Sequence, residues 1–242
     1  MKKYAVIVAG GSGTRMGSVL PKQFIEIHGR PLLWYTLTSF LQAAEDFHLI
    51  VVLPGQYYEA GVAICRSVSA SNPIRTIIGG QTRFHSVQKG LEIIMDESKG
   101  PELIAEEGEG PELIKEESII CVHDAVRCLV TSALIQHCIN EAELFGSAIP
   151  CIDSKDSVRV KTGSAYVALK RTEVKLVQTP QTFLSKFLLP AYKTDYREVF
   201  TDDAAVVEAA GFDVHIVNGD VNNFKITTPL DLFVAEKLLE QP

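Results

Sequence analysis

The sequence has 242 residues, of which 46% are hydrophobic and 22% are charged, and its net charge is −7. Such a chain can bury one substantial core, and its composition is not that of a disordered protein. The acidic balance argues against a nonspecific nucleic-acid surface, so a local basic cluster would suit a small anionic ligand. The five cysteines form no CxxC pair, which predicts reduced thiols in a cytoplasmic protein. We expect neither a membrane span nor a signal peptide, because no apolar run is long enough.

Strand and helix patterns alternate through the first 150 residues. Apolar runs predict strands at 4–9, 48–53, 74–80, 118–125 and, beginning a further one, 147–150. Helical periodicity predicts helices at 31–44, 83–95 and 131–146. Strands without polar alternation are typical of parallel strands covered on both faces. This order predicts an α/β fold, a Rossmann-like, doubly wound and mostly parallel sheet, in a single domain over residues 1–242.

Two segments depart from this alternation. Residues 151–178 contain the pieces SVRVK and YVALK around a turn at 162–164, which predicts a projecting β-hairpin arm. Residues 97–117 include the Glu-rich tandem duplication GPELIAEEGE and GPELIKEE, which we interpret as an exposed insertion or helix extension. After the arm, α/β patterns return at 203–211, 213–219 and 229–240. Thr228 and Pro229 are a suitable N-cap and first residue for the last helix.

A glycine-rich loop, VAGGSGTRMGSVLPKQF at residues 8–24, follows the first strand. Glycine allows backbone N–H groups to approach an anion closely. The loop lacks the Walker A pattern, and Gly17 falls one residue too late for the dinucleotide fingerprint GxGxxG. What remains is a set of backbone donors with Arg15 and, seven residues later, Lys22. These groups suit a triphosphate.

Several separated motifs occur in an order that resembles a known family over nearly the whole chain. They are AGGSGTRMG with PKQF, GGQTRFHSV, HDAVR, QTPQTF, TDDA and NFKITTP. Together they resemble the 2-C-methyl-D-erythritol 4-phosphate cytidylyltransferase family, the nucleotidyltransferases of non-mevalonate isoprenoid synthesis. The resemblance implies an enzyme that joins CTP to methylerythritol phosphate with Mg²⁺ and releases pyrophosphate. It also implies a homodimer formed through the arm, with no nucleic-acid or membrane partner.

The resemblance assigns catalytic and CTP-binding roles to particular residues. The catalytic candidates are Arg15, Lys22, Asp124 and Lys225. The CTP-binding candidates are Ala9, Gly10, Gly11, Gly13, Gly80, Gln81, Arg83, Ser86 and Ala125. Gln81 stands where relatives often carry Asp, and its amide oxygen can still accept a hydrogen bond. Asp124 follows a strand, where ligands bind in open α/β sheets, and it is the candidate for a magnesium-linked carboxylate or a ribose contact.

The resemblance also implies an acceptor-phosphate site that a second subunit completes. Its candidates are Arg127, Ser157, Arg171, Thr201 and Lys225. Arg171 lies on the arm and would reach the partner's site together with a hydroxyl, which Ser157 supplies or, alternatively, Ser154. Lys225 lies in an apolar stretch that we interpret as a strand. Asp202 and Asp203 follow Thr201 in the TDDA motif. Helix capping is the alternative to a functional role for these two aspartates.

Catalysis would rest on positioning and charge stabilisation, because the acceptor's phosphate oxygen is already anionic. Accordingly, no Ser-His-Asp constellation is evident in the sequence. A ribitol-5-phosphate cytidylyltransferase is a close alternative, and a noncatalytic CTP-binding sensor and a dinucleotide-dependent oxidoreductase are more distant ones. The serine spacing in RFHSV and the likeness of TDDA to TDEA favour methylerythritol phosphate over ribitol phosphate. The glycine spacing disfavours the oxidoreductase, and the intact catalytic candidates argue against a sensor.

Overall fold

The computed structural model describes residues 1–10, 20–69, 74–98 and 117–240. Gly11, Gly13 and Arg15 therefore lie outside the described residues, as do residues 99–116 of the predicted insertion at 97–117. The described strands are β1 (Lys2–Val8), β2 (Glu26–Ile27), β3 (Arg30–Pro31), β4 (Phe47–Leu53), β5 (Arg75–Ile78), β6 (Ser118–Asp124), β7 (Ser147–Asp153), β8 (Arg159–Thr162), β9 (Ala165–Ala168), β10 (Lys175–Val177), β11 (Gln181–Leu184) and β12 (Ile216–Asn218). The described α-helices are α1 (Leu32–Ala43), α2 (Tyr58–Val68), α3 (Arg83–Ser98), α4 (Ser132–Phe145), α5 (Ser185–Ala191), α6 (Asp203–Ala209) and α7 (Pro229–Leu239).

Eight of these strands form one central sheet. Strands β6, β1, β4 and β5 lie side by side and run parallel. Strand β11 lies between β6 and β7 and is antiparallel to both. Strand β7 also pairs with β10 in antiparallel and with β12 in parallel orientation. The predicted α/β fold with a mostly parallel sheet is confirmed.

Alternate residues of the central strands pack into cores on opposite faces of the sheet. On β1, Ala5 and Ile7 join the core that α1, α2 and α4 cover. Tyr4 and Val6 join the core that α3, α5 and α6 cover. Every residue of β6 is buried, which explains why these strands show no polar alternation in the sequence.

Local signals set the helix boundaries where the sequence predicts them. Gly146 ends α4 with a φ of 88°, a left-handed conformation that glycine adopts without steric cost. Thr131 caps the other end of α4 through its side chain. Thr228 and Asp231 form a capping box at the start of α7, with Pro229 in the first turn. Among the described helices, none is both long and apolar enough to cross a membrane.

Several elements have no counterpart among the predicted ones, namely α2, α5, β11 and the β2–β3 pair. Helix α2 fully buries only two residues, Gly61 and Cys65. Strand β11 is buried but has only four residues, too few for periodicity to reveal its direction. The expectation of a strand around Lys225 is wrong, because that residue lies in an irregular segment. A hydrogen bond of 3.0 Å from the Ile226 N–H to the Val126 carbonyl holds this segment beside the end of β6.

Strands β8 and β9 form an antiparallel hairpin outside the central sheet. All of their residues are exposed, and Gly163 has a φ of 63° at the turn. The two ends of the predicted 151–178 arm belong to the central sheet instead. Strand β7 extends to Asp153, and β10 pairs with it. The part of this segment that lies outside the central sheet is therefore 154–174.

Candidate active site

A cleft of about 240 Å³ lies beside the carboxyl end of β6. Its lining residues are Arg83, Asp124, Arg127, Val177, Gln178, Thr179, Gln181, Thr201, Asp202 and Lys225. Open α/β sheets bind ligands beyond the carboxyl ends of their strands. The fold therefore brings Arg83, Asp124, Arg127, Thr201 and Lys225, which come from four separate sequence motifs, to one place.

Asp124 is surrounded by cationic side chains in this cleft. Its Oδ1 accepts a hydrogen bond of 3.1 Å from Arg83 Nε, and its Oδ2 accepts one of 2.9 Å from Lys225 Nζ. Arg127 Nε lies 3.7 Å from the same Oδ2. Burial by itself would raise the pKa of Asp124, but the charges of Arg83, Lys225 and Arg127 outweigh it and hold the pKa well below its usual range. Asp124 is therefore an ionised carboxylate at physiological pH.

Arg127 forms one wall of the cleft and joins two chain segments. Its Nη1 donates a hydrogen bond of 2.8 Å to the Asn223 carbonyl, and its Nη2 donates one of 3.4 Å to the Val177 carbonyl. Its Nε is buried without a hydrogen-bond partner. Burial lowers the pKa of Arg127, and the neighbouring Asp124 carboxylate opposes that shift. The guanidinium therefore carries an incompletely satisfied positive charge at the edge of the cleft.

Lys22 is held close to the segment that carries Lys225. Its side chain is buried, and its Nζ donates a hydrogen bond of 2.8 Å to the Thr227 carbonyl. The neighbouring Gln23 side chain donates to the Ala9 carbonyl. This contact ties the short 3₁₀ turn Lys22–Phe24 to the end of β1. The lysine therefore has a fixed position.

Several predicted CTP-binding residues lie together at the ends of β1 and β5. Ser86 Oγ accepts a hydrogen bond of 3.1 Å from the Gly80 N–H and donates one of 2.9 Å to the Thr82 carbonyl. A Cβ on Gly80 would lie 2.4 Å from His85 Cβ, and a Cβ on Gly10 would lie 3.5 Å from Ser86 Oγ. Only glycine therefore fits at position 80, and Gly10 lies against Ser86.

The remaining predicted CTP-binding residues have simpler surroundings. The Ala9 N–H donates a hydrogen bond of 2.9 Å to the Val52 carbonyl, and the Ala125 N–H donates one of 3.0 Å to the Val8 carbonyl. Both alanines thus follow directly after strands whose pairing they continue. The Gln81 side chain is exposed, so it is accessible to a ligand.

The arm residues Arg171 and Ser157 do not line this cleft. Arg171 Nη1 donates a hydrogen bond of 3.1 Å to the Lys155 carbonyl. Ser157 is exposed, whereas Ser154 is buried and its Oγ donates a hydrogen bond of 3.0 Å to the Asp156 carbonyl. Within its own chain, the arm therefore carries Arg171 and Ser157 outside the cleft that holds Asp124.

Arg83 extends from the cleft into a buried ionic network that no sequence motif reveals. Its Nη1 and Nη2 donate hydrogen bonds of 2.9 and 2.7 Å to the two carboxylate oxygens of Asp203. Tyr192 Oη donates a further hydrogen bond of 2.6 Å to Asp203 Oδ1. Burial would lower the pKa of Arg83, but the carboxylates of Asp203 and Asp124 raise it well above its usual value. Arg83 is therefore always charged and lies between two carboxylates.

The QTPQTF motif positions the start of α6 beside the cleft. Gln181 Oε1 accepts hydrogen bonds of 2.9 and 2.8 Å from the N–H groups of Asp203 and Ala204, and its Nε2 donates one of 3.0 Å to Asp202 Oδ2. Asp202 Oδ1 accepts from the Ala205 N–H at 2.9 Å. The capping interpretation of Asp202 is thus correct. The sequence shows this motif but gives no sign of the role that Gln181 has.

His123 and Thr179 fix the backbone of the catalytic candidate Asp124. His123 Nε2 lies 3.3 Å from the Arg127 carbonyl, and its Nδ1 lies 2.9 Å from Thr179 Oγ1. Because a carbonyl only accepts, we assign the proton to Nε2, and Nδ1 then accepts from Thr179. Thr179 Oγ1 in turn accepts a hydrogen bond of 3.1 Å from the Asp124 N–H. Burial lowers the pKa of His123 to about 3, so the ring is neutral in the folded protein.

The carboxylates of the cleft suit a divalent cation only when a bound ligand supplies further oxygen atoms. No three His, Cys, Asp or Glu side chains within the described ranges are grouped so that they could hold a metal ion. The cleft itself offers the carboxylates of Asp124 and Asp202. Mg²⁺ typically binds one or two carboxylates together with substrate phosphates. The residues present therefore fit a cation that phosphate oxygens largely hold.

Comparison with known proteins finds similar sequences over nearly the whole chain. The family model for IspD, 2-C-methyl-D-erythritol 4-phosphate cytidylyltransferase, matches residues 4–104 and 109–241. The 2-C-methyl-D-erythritol 4-phosphate cytidylyltransferase of Bacteroides thetaiotaomicron is 39% identical, over 99% of this chain and 100% of the relative. The enzyme of the same name from Bacteroides fragilis is 40% identical, again over 99% and 100% of the two chains.

Solved structures of similar proteins have the same overall arrangement. The crystal structure of 4-diphosphocytidyl-2C-methyl-D-erythritol synthase from Anaerococcus prevotii aligns with a TM-score of 0.76 at 26% identity, over 99% of this chain and 98% of that chain. That of 2-C-methyl-D-erythritol 4-phosphate cytidylyltransferase from Thermus thermophilus aligns with a TM-score of 0.70 at 28% identity, over 99% and 100% of the two chains.

Proposed function

The chain belongs to the IspD family of 2-C-methyl-D-erythritol 4-phosphate cytidylyltransferases, and from that membership we propose how its cleft joins CTP to 2-C-methyl-D-erythritol 4-phosphate. One observation carries the proposal: cations from three separate motifs, Arg83, Arg127 and Lys225, surround Asp124 in a single cleft. An excess of positive charge around one carboxylate suits phosphate groups.

The CTP half of the site is assembled around the ends of β1 and β5. The cytosine contacts Gly10, Gly80 and Ser86, where small residues and backbone groups accept the cytosine amine and exclude a purine. The other residues assigned to CTP are Ala9, Gly11, Gly13, Gln81, Arg83 and Ala125. Arg15 and Lys22 stabilise the negative charge that grows on the α-phosphate and on the leaving pyrophosphate. The buried, fixed position of Lys22 supports this role.

The acceptor half of the site holds the phosphate of methylerythritol phosphate. Lys225, Arg127 and Thr201 bind this phosphate from one chain, and Lys225 Nζ is already beside Asp124. Arg171 and Ser157 complete it from the arm of a second copy. The exposed hairpin, and the absence of both arm residues from the cleft lining of their own chain, support this homodimer.

The reaction requires no nucleophilic side chain. A phosphate oxygen of the acceptor attacks the α-phosphorus of CTP, a new P–O bond forms, and the bond to the leaving pyrophosphate breaks. The protein positions the two phosphates in line and neutralises their charge. Asp124 would hold Mg²⁺ together with phosphate oxygens of the substrates, and the ion would supply further positive charge there.

The enzyme acts in the cytoplasm on these small-molecule substrates. All five cysteines are buried thiols without disulfide partners, which suits a reducing compartment. Burial raises the pKa of Cys65, Cys121 and Cys128 to about 12. These thiols are therefore structural and not catalytic.

The test is pyrophosphate release from CTP and Mg²⁺ with either methylerythritol phosphate or ribitol 5-phosphate. We expect turnover with the first acceptor alone and none without an acceptor. Turnover with ribitol 5-phosphate instead would keep the CTP site and overturn the acceptor assignment. Binding of CTP without any pyrophosphate release would overturn catalysis altogether.

A further inference from the structure

Asp203 lies behind the cleft, and the roles proposed above do not use it. Its side chain is fully buried, and both of its carboxylate oxygens accept hydrogen bonds from Arg83, at 2.9 and 2.7 Å. Tyr192 Oη donates to Oδ1 at 2.6 Å, and the Asp203 N–H donates to Gln181 Oε1 at 2.9 Å. A carboxylate held from these sides in a buried setting has one available orientation.

Arg83 consequently contacts two carboxylates with different parts of its guanidinium group. Both Nη atoms bind Asp203, so that Nε alone reaches Asp124, at 3.1 Å. Arginine and carboxylate groups prefer a bidentate pairing through two parallel hydrogen bonds. Without Asp203, Arg83 would therefore turn and take both oxygens of Asp124, including the Oδ2 that accepts from Lys225.

We propose that Asp203 is a positioning residue that acts through Arg83, and that it keeps Asp124 Oδ2 available to Lys225 and the substrates. Asp203 does not itself contact substrate in this scheme. Tyr192 supports it by fixing the orientation of the carboxylate. This inference rests on the proposed function, because it concerns the same cytidylyl transfer at the same cleft.

The first test is the variant Asp203→Asn, which keeps the shape of the side chain and replaces one acceptor by a donor that faces Arg83. We expect kcat/KM, normalised to folded enzyme by circular dichroism, to fall ~10- to 100-fold, the range seen when supporting partners of active-site groups are removed. Asp203→Glu retains the carboxylate and is expected to recover most of that loss. Thr131→Ala, which removes the N-cap of α4 on the other face of the sheet, controls for lost stability and should leave kcat/KM unchanged.

The second test asks whether Asp203 acts through Arg83, by a double-mutant cycle with Arg83→Gln. If Asp203 acts through Arg83, kcat/KM of the double variant is no lower than that of the less active single variant. Its melting temperature should also exceed that of Arg83→Gln alone, because no buried carboxylate is left unpaired. Losses that multiply would overturn the proposal, as would wild-type kcat/KM in Asp203→Asn.

A further variant covers the case in which Asp203→Asn does not fold. Tyr192→Phe removes only the hydroxyl that fixes Asp203, and it then replaces Asp203→Asn in the double-mutant cycle with Arg83→Gln. Losses in kcat/KM that do not add would again support the proposal, and losses that multiply would overturn it. Failure of the proposed function is distinguishable, because the wild-type enzyme would then release no pyrophosphate. If the wild type is active and the kcat/KM losses of the two single variants multiply in the double variant, only this inference fails.

Discussion

Asp124 and Lys225 are separated by 101 positions in the chain, yet Lys225 Nζ donates a hydrogen bond of 2.9 Å to Asp124 Oδ2. The pair is unequal in exposure, because the side chain of Lys225 is 43% exposed and that of Asp124 only 10%. Lys225 therefore presents its charge to the solvent side of the cleft, while Asp124 anchors it. This arrangement leaves the lysine accessible to an incoming phosphate.

Replacing Lys225 should weaken binding of the acceptor more than binding of CTP. We expect Lys225→Ala to raise KM for methylerythritol phosphate ~10- to 100-fold and KM for CTP much less, since a charge-assisted contact to the acceptor phosphate is lost. Initial rates with each substrate varied in turn measure this split. Lys237→Ala, an exposed lysine of α7 paired with Glu240, is the matched control. Equal changes in both KM values would contradict the assignment.

Replacing Lys22 should affect turnover more than binding of CTP. Because Lys22 is proposed to stabilise charge that develops during the transfer, we expect Lys22→Ala to lower kcat ~100-fold or more and to raise KM for CTP less. Steady-state pyrophosphate release at saturating acceptor measures both constants. Lys186→Ala removes an exposed lysine that pairs with Glu117, and it should behave as the wild type. An unchanged kcat in Lys22→Ala would remove this lysine from the catalytic machinery.

Two inactive variants should restore activity to each other if the arm serves a partner's cleft. Arg171→Ala damages the arm, and Lys22→Ala damages the cleft. A mixed dimer contains one cleft with an intact Lys22 that receives an intact Arg171. With random exchange in a symmetric dimer, about a quarter of wild-type activity should return. Mixing after brief dissociation in mild denaturant, with each variant alone as the control, measures this. No gain over the separate variants would contradict the shared site.

The neutral, buried His123 should make the folded state sensitive to acid. Its pKa is about 3 in the folded protein, against about 6.5 in an unfolded chain. Below pH 6.5 the unfolded state therefore binds a proton that the folded state does not, and stability falls as the pH falls. This group costs about 1.4 kcal/mol of unfolding free energy per pH unit, or ~2 kcal/mol between pH 6 and 4.5.

Urea unfolding at several pH values between 7.5 and 4.5 measures this loss. His123→Gln keeps a donor and an acceptor but cannot be protonated, so its unfolding free energy should depend less on pH in this window. Asp124 complicates the comparison only at lower pH, because an unfolded aspartate has a pKa near 3.9. His137→Gln, at an exposed position of α4, should keep the wild-type slope. Identical slopes for the wild type and His123→Gln would contradict the prediction.

The sequence predicts the parallel half of the sheet well and the antiparallel part poorly. The strands β1, β4 and β6 are mostly buried on both faces. A long apolar run without polar alternation is typical of such strands in a parallel sheet. By contrast, β11 has four buried residues, and such a short run carries no information on direction or neighbours. Its placement between β6 and β7 depends on pairing with residues that are more than 30 positions away in the chain.

The motifs identify the charged groups of the cleft but not the groups that hold them. Asp124, Arg127 and Lys225 stand out because charged residues follow or interrupt apolar sequence. Tyr192 is an unremarkable aromatic residue of a helical region, and its contact with Asp203 exists only after α5 and α6 have packed. Such partners cannot be found by spacing, since they are distant in the chain and belong to no pattern.

The hydrogen bond from Lys22 to the Thr227 carbonyl joins groups that are 205 positions apart. During synthesis on the ribosome, Lys22 emerges early, and the segment that carries Thr227 and Lys225 emerges among the last. A growing chain can therefore synthesise β1, β4, β5 and β6 before Lys22 and Lys225, the lysines proposed to bind the triphosphate and the acceptor phosphate, come together. The contact between Lys22 and Thr227 therefore forms only when translation is nearly finished, and we expect that a chain terminated before Thr227 would not consume CTP.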